Sequence, residues 1–239
     1  MLGFFSFTEV TQPSAHRAYN EWHRLDHMPE QFSLDGVLFG QRWVCTPDCR
    51  EARVAVSPLL EPCHYMTLYL MQDAGVLPAF FDLAQRLRQA DRFFADRRAP
   101  LSGPFEVRDR WVSPRVKVSV AAVPHRPARG IYVVVGPPVD GAAMVAHQGV
   151  AGAWSFADTA TGAAHPAGGT AGDPSLDRHI TVAFIDGDLV TTASQLGQWC
   201  LQHAGQGGTM EWAGPLDLLD RVNPIDTDSY DWFDRLTPQ

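Results

Sequence analysis

Between His16 and His27 the chain sets three histidines, one aspartate, one tyrosine and one tryptophan within twelve residues. A histidine titrates near neutrality, and with a carboxylate close by it is the ordinary equipment for moving a proton. His23, Asp26 and His27 are therefore the candidate acid–base groups. Tyr19, Tyr65 or Tyr69 can donate a hydrogen bond to oxygen as negative charge develops on it. A small apolar carbonyl or phenolic molecule is the substrate such a set would serve. The competing reading keeps His23 and His27 as border residues of a helix and pairs Asp26 with Arg24, Arg42 or a backbone group. A catalytic pocket should bring one of these histidines against a cavity of about a few hundred Å³.

Metal and cofactor chemistry find less support. His16 and His23 are seven residues apart, about 10 Å along a helix, too far to share one ion. Cys45, Cys49, Cys63 and Cys200 match no paired-cysteine zinc spacing and read as reduced thiols, as in a cytoplasmic protein. No metal and no cofactor are expected. A haem would need one axial histidine, His27 or His203, but no haem motif accompanies either. Phosphate-loop, dinucleotide and nucleophile-elbow patterns are missing as well. The formal charge of −8 offers a nucleic acid no general attraction. Arg86, Arg88, Arg92, Arg97 and Arg98 alternate with Asp82, Asp91 and Asp96, which predicts a solvated helix face. No segment approaches the roughly 20 apolar residues that span a bilayer, so no membrane partner is expected.

These residues must be held by regular elements. Residues 2–10, rich in Phe, read as a first strand and not as a secretory leader. Ser14 to Leu25 reads as a helix ending near Pro29, with Ala15, Ala18, Tyr19, Trp22 and Leu25 on its apolar face and Asp26 pointing nearly the same way. Strands follow at 37–44 and 64–71, then an amphipathic helix over 76–94 and a fourth strand over 105–112. The second half repeats the order more weakly, with strands at 131–135, 153–156 and 179–185, a helix over 193–203 and a last strand starting near Met210. Gly36-Val37 and Gly149-Val150 lie 113 residues apart, and His64 and His179 lie 115 apart. Near-equal offsets predict an internal duplication. The fold class expected is α+β, two tandem ferredoxin-like β-α-β-β-α-β units whose sheets face each other as an intramolecular barrel. The units are 1–113 and 129–220, with a docked tail at 221–239 and a linker whose Val116–Val123 part could add an edge strand.

The stretch Tyr19 to Glu30, followed by Leu34-Asp35-Gly36-Val37 and Gln41-Arg42-Trp43, resembles the EthD-like branch of the dimeric α+β barrel superfamily. His27, Pro29, Gly36 and Arg42 fall on that branch's marked places. The resemblance implies four-stranded sheets paired into a closed barrel with pockets between sheet and helices. It implies no single reaction, because relatives include cyclases, isomerases, haem enzymes, cofactor-free monooxygenases and proteins without assigned activity. On that footing Trp22, Arg42, Tyr65 and Tyr69 are expected to line the pocket, and His27 to matter most. Nine residues before Gly149 stands Asp140 instead of a histidine, so any pocket should lie in the first half.

Three functions follow as expectations. The first is a cofactor-independent lyase, cyclase or isomerase acting on a small apolar oxygenated molecule. The others are a non-catalytic ligand-binding or accessory protein, and an oxygen- or haem-dependent enzyme. A homodimer of the two-unit chain is the expected assembly.

Overall fold

The computed structural model describes residues 1–158, 178–203 and 208–222. Strand β1 (Leu2–Val10) shows how the sheet is built. Alternate side chains of a strand point to opposite faces. Phe5 and Phe7 point inward, Phe5 meeting Phe105 and Phe156 at ring distances of 5.5 and 4.9 Å, and Phe7 meeting Trp212 at 5.8 Å. Phe4 points outward and meets Phe80 at 4.8 Å.

The outer layer begins with α1 (His16–Trp22), a wider turn over His23–His27, and α2 (Met28–Phe32). Strand β2 (Val37–Val44), the short helix α3 (Pro47–Glu51) and the two-residue β3 (Ala55–Val56) come next. Strand β4 (Tyr65–Met71) is buried throughout, and α4 (Leu77–Gln89) leads to the long β5 (Arg97–Val112). The remaining elements are β6 (Gly130–Gly136), α5 (Gly141–Val145), β7 (Val150–Asp158), β8 (His179–Ile185), α6 (Leu189–His203), β9 (Trp212–Leu218) and α7 (Leu219–Val222).

All strands belong to one antiparallel sheet, ordered β2-β4-β1-β5-β7-β8-β6-β9, with β3 added outside β9. Trp43 and Val44 of β2 pair with Leu218 and Asp217 of β9, which closes the sheet into an eight-stranded barrel. This corrects the expected tandem ferredoxin-like units. There are not two sheets facing each other, because β5 hydrogen-bonds directly to β7 and the first and last strands of the order join. Aromatic side chains from both halves fill the interior, as eight-stranded barrels require. Helices are few, and α5 has only five residues.

The connection between the halves adds no edge strand. Its Val120–His125 part is a short 3-10 helix. Arg115 and Arg126 both donate to Asp186, tying this connection to the end of β8. The expected tail at 221–239 lies outside the described residues, apart from the end of α7. Among the described residues no helix is long and apolar enough to cross a membrane.

The seam between β5 and β7 is tightly packed at Gly152. A methyl group there would sit 2.7 Å from the Trp111 carbonyl oxygen and 2.8 Å from a Val123 methyl. At Gly103, inside the barrel, nothing lies within 4 Å. Gly152→Ala should therefore lower the unfolding free energy by about 1–3 kcal/mol, read from urea denaturation midpoints. Gly103→Ala should leave the midpoint unchanged or raise it.

Candidate active site

Three cross-strand pairings create a polar row on the outer face of the barrel. Arg42 of β2 lies opposite Thr67 of β4, Thr67 opposite Ser6 of β1, and Ser6 opposite Ser102 of β5. Directly paired residues share a face. Large side chains bound the row on both sides. Tyr69 and Phe4 are paired on one side, and Tyr65 and Thr8 on the other. Small hydroxyl residues between rings leave a hollow where a helix crosses them.

The first helix covers that hollow with its polar side. His16, Asn20, His23 and Gln31 are all buried, while Ala18 and Leu25 are exposed, Leu25 at 67%. The helix is therefore rotated from the orientation expected of it, because the sheet beneath is polar there. A second cause acts after Trp22. The Met28 amide donates to the His23 carbonyl five residues back instead of four, so His23–His27 is a π-helical turn. At about 100° per residue, Gln31 would lie some 60° away from His16 on a regular helix; the wider turn brings it back over the sheet. The same turn carries Asp26 outward, where it is exposed. Such π-turns occur often at functional sites.

Helix and sheet enclose a cavity of about 30 Å³. Its roof is His23, His27 and Gln31, and its floor is Ser6, Thr67, Tyr69 and Ser102 with Phe4 and Ala99. Phe80 and Ala84 of α4 form one wall, and Phe93 and Arg97 stand at the partly exposed mouth. The space suits about two water molecules, well below the expected few hundred Å³. A porphyrin has no room in it. His27 is stacked on Trp22 at 4.6 Å, and His203 is stacked on Trp199 with its Nδ1–H donating to the Trp199 carbonyl, away from this cavity.

Several polar atoms around this cavity have no partner among the described residues. They are His23 Nδ1, Gln31 Oε1, Thr67 Oγ1, the Tyr69 hydroxyl and Arg97 Nε. A dry, unsatisfied polar atom costs about 1–3 kcal/mol. Five together would rival a whole domain's stability of about 5–15 kcal/mol, so the site is built to hold something polar.

The electrostatics have one sign. Burial, then the charges of Arg42, His27 and Arg97, hold His23 well below the ordinary histidine range, so it is neutral near pH 7. Burial pushes the Tyr69 hydroxyl well up, which keeps it a donor. Burial also lowers Arg97, and no acidic side chain lines the cavity. Phe93 lies between two guanidinium groups, Arg88 at 4.4 Å and Arg97 at 4.3 Å from its ring.

Behind the cavity a second group is joined by hydrogen bonds. Tyr65 accepts from Asn20 Nδ2 at 3.0 Å and lies 2.8 Å from His16 Nδ1; the Tyr65 hydroxyl donates to that nitrogen when His16 carries its proton on Nε2. Asn20 Oδ1 accepts from Arg42 Nη2 at 2.8 Å. The Arg42 guanidinium stands 5.2 Å from the centre of the Tyr19 ring and 5.6 Å from that of Tyr65. His64 Nδ1 accepts the Val10 amide, so His64 too is held neutral.

The structure thus brings His23, His27 and Tyr69 to one cavity. Tyr19, Tyr65 and Arg42 pack behind it, Trp22 stacks on His27 and meets Phe93 without lining it, and Asp26 lies outside. Sequence reading missed Ser6, Gln31, Thr67, Ser102, Phe93 and Arg97. Arg97 had been expected on a solvated helix face, but α4 ends at Gln89 and Asp91 takes a left-handed turn with φ 56°, so Arg97 opens β5. The alternation of Arg88, Phe93, Phe94 and Arg97 past the end of the apolar helical stripe was the available signal. In the second half the corresponding row reads Ser155, Thr181, Val134 and Ala213. The four cysteines are buried and free, with Cys45 pushed up to about 11 and Cys49 and Cys63 to about 12, which makes them poor nucleophiles.

No protein-family model and no curated protein matches the chain. Among solved structures, an anthrone oxidase-like protein is similar at a TM-score of 0.51 and 9% identity, over 91% of this chain and 90% of that one. A "putative monooxygenase" from Lactobacillus acidophilus NCFM reaches 0.45 and 7%, over 90% and 93%. The first likeness is one of fold, and the second is too slight to carry an argument.

The buried histidines set a pH dependence of stability. His16 is lowered to about 4 and His64 to about 3 by burial, against an ordinary 6.5. Below pH 6.5 the unfolded chain takes up protons that the folded chain refuses, so stability falls as pH drops towards 4 and then 3. Replacing His16 by Gln should remove roughly 3 kcal/mol of that loss, seen by comparing urea midpoints at pH 7 and pH 4. A wild-type midpoint flat across this range would contradict the neutral buried histidines.

Proposed function

We propose that the chain is a small-molecule enzyme that removes a proton from a carbonyl or phenolic substrate and holds the resulting oxyanion. The observation that carries this reading is a neutral, buried His23 whose Nδ1 has no hydrogen-bond partner among the described residues, in the lining of a cavity that Tyr69 and Arg97 also line. His23 accepts the proton. Tyr69 and Arg97, with Thr67 beside them, supply donors to the oxygen on which charge appears, where little water competes. His27, at the mouth, is placed to pass the proton between His23 and solvent. The small cavity admits the reacting group, and the rest of the molecule lies in the mouth against Phe93 and Trp22.

The same first step serves two outcomes. In an isomerase or cyclase the proton returns at another atom of the substrate. In a cofactor-free oxidase the enolate or phenolate gives one electron to O2, and the two radicals join in a carbon–oxygen bond. The distal peroxide oxygen then takes the proton held by His23, so that R–H and O2 give R–OOH. The oxidase-like neighbour in fold and the resemblance of Tyr19–Arg42 to the EthD-like branch support including the oxygen-dependent outcome. Binding without turnover is the remaining alternative.

A panel of small phenols, lactones and ketones in D2O, followed by NMR for hydrogen exchange and by an oxygen electrode for O2 uptake, tests the reading. Wild-type protein should exchange or oxidise at least one compound, and His23→Gln should lose that activity by at least a hundredfold with an unchanged thermal midpoint. Because His23 is held below 6.5, the rate should persist on the acid side of that pH instead of falling there. Equal rates in wild type and His23→Gln would remove the assignment.

A further inference from the structure

The charge around the cavity is unbalanced in a specific way. Arg42 is buried, at 3% exposure, and among the described residues gives one hydrogen bond, to Asn20; its Nε and Nη1 have no partner there. Arg97 is in the same condition at Nε, at the opposite end of the cavity. Neither guanidinium forms an ion pair with an acid among the described residues, although exposed arginines of the same chain, such as Arg86 and Arg92, do. A buried cation without a counter-charge costs several kcal/mol. Evolution could have offset it with one aspartate in the row, yet the row holds only hydroxyls.

The lining groups also agree in kind. Thr67 and Tyr69 line the cavity and are nine-tenths or more buried, each with a hydroxyl that has no partner among the described residues, and each can donate. The size of the closed cavity, about two waters, is that of a planar oxygen head group and not of a whole substrate.

We infer that the site binds weak oxygen acids, namely phenols, enols and small carboxylic acids, as their conjugate bases, with the ligand's oxyanion standing where the protein supplies no acid of its own. This rests on the cavity being the substrate site proposed above and narrows its substrate class to molecules that carry an ionisable O–H. The one bond change is at the ligand's O–H: its proton passes by way of His23 and His27 to solvent, and the anion stays between Arg97 at the mouth and the field of Arg42 behind Thr67.

A nitrophenol reports this directly, because its anion is coloured and its neutral form is not. Titrated with the full chain, 4-nitrophenol should show an apparent pKa at least one unit lower when bound than when free, a tenfold preference for the anion. Formate, small enough for the closed cavity, should displace it, and the neutral isostere formamide should not. Arg97→Gln should abolish the pKa shift; Arg42→Gln should reduce it, and if that variant does not fold the Arg97 result alone decides. His23→Gln should keep the shift while losing turnover, which separates this inference from the catalytic one. A bound pKa equal to or above the free value, a shift that survives Arg97→Gln, or equal displacement by formate and formamide would overturn it.

Discussion

A helix normally turns its apolar side to the sheet it covers. Here the sheet offers Arg42, Thr67, Ser6 and Ser102 in one row, and the helix answers with Asn20, His23 and Gln31 while Leu25 faces water. That match of polar roof to polar floor is the constraint on which the site depends. Hydrophobic burial elsewhere holds the barrel together, and the interior aromatics make it stiff. The polar layer contributes little to that. Its effect is to keep a small space open beneath a helix, because serine and threonine cannot fill the volume that Phe4, Tyr69 and Tyr65 fill on either side. The π-turn completes the arrangement by keeping Gln31 in line with His16 across fifteen residues of helix.

Two kinds of polar group share this layer, and their difference is informative. The group behind the cavity is satisfied: Tyr65, His16, Asn20 and one edge of Arg42 form hydrogen bonds of 2.8–3.0 Å. The group facing the cavity is not. A fully bonded network rigidifies what surrounds it, so the inner network acts as a frame for the open side chains in front. Tyr19 links the two, packed against Tyr65 at 5.1 Å and against His23 at 5.8 Å.

Much of the secondary structure was legible in the sequence, since aromatic-rich runs mark strands well. Residues 2–10, 37–44 and 179–185 are strands as expected. The architecture was not, because periodicity says which residues alternate but not which strand ends meet, and the pairing of β5 with β7 leaves no local trace. The site was legible in part. His23 and His27 declare themselves by type. Ser6, Thr67 and Ser102 do not, since each is an ordinary strand residue until register places them side by side. Asp26 misled for the opposite reason: its type was right, and one displaced backbone hydrogen bond moved it to the surface.

The closing contact of the barrel has a consequence for how the molecule is made. Trp43 pairs with Leu218, which comes 175 positions later. Local contacts form fast and distant ones slowly, so β2 waits with an open edge until β9 has been synthesised and has come round to meet it. At about 5–20 residues per second that interval lasts from roughly nine seconds to half a minute. During it the strand that carries Arg42 is the exposed border of an unfinished sheet, the kind of edge to which other chains add. A charged side chain on such a border is of the kind that discourages added strands, and Arg42 stands next to the two residues that later pair with β9.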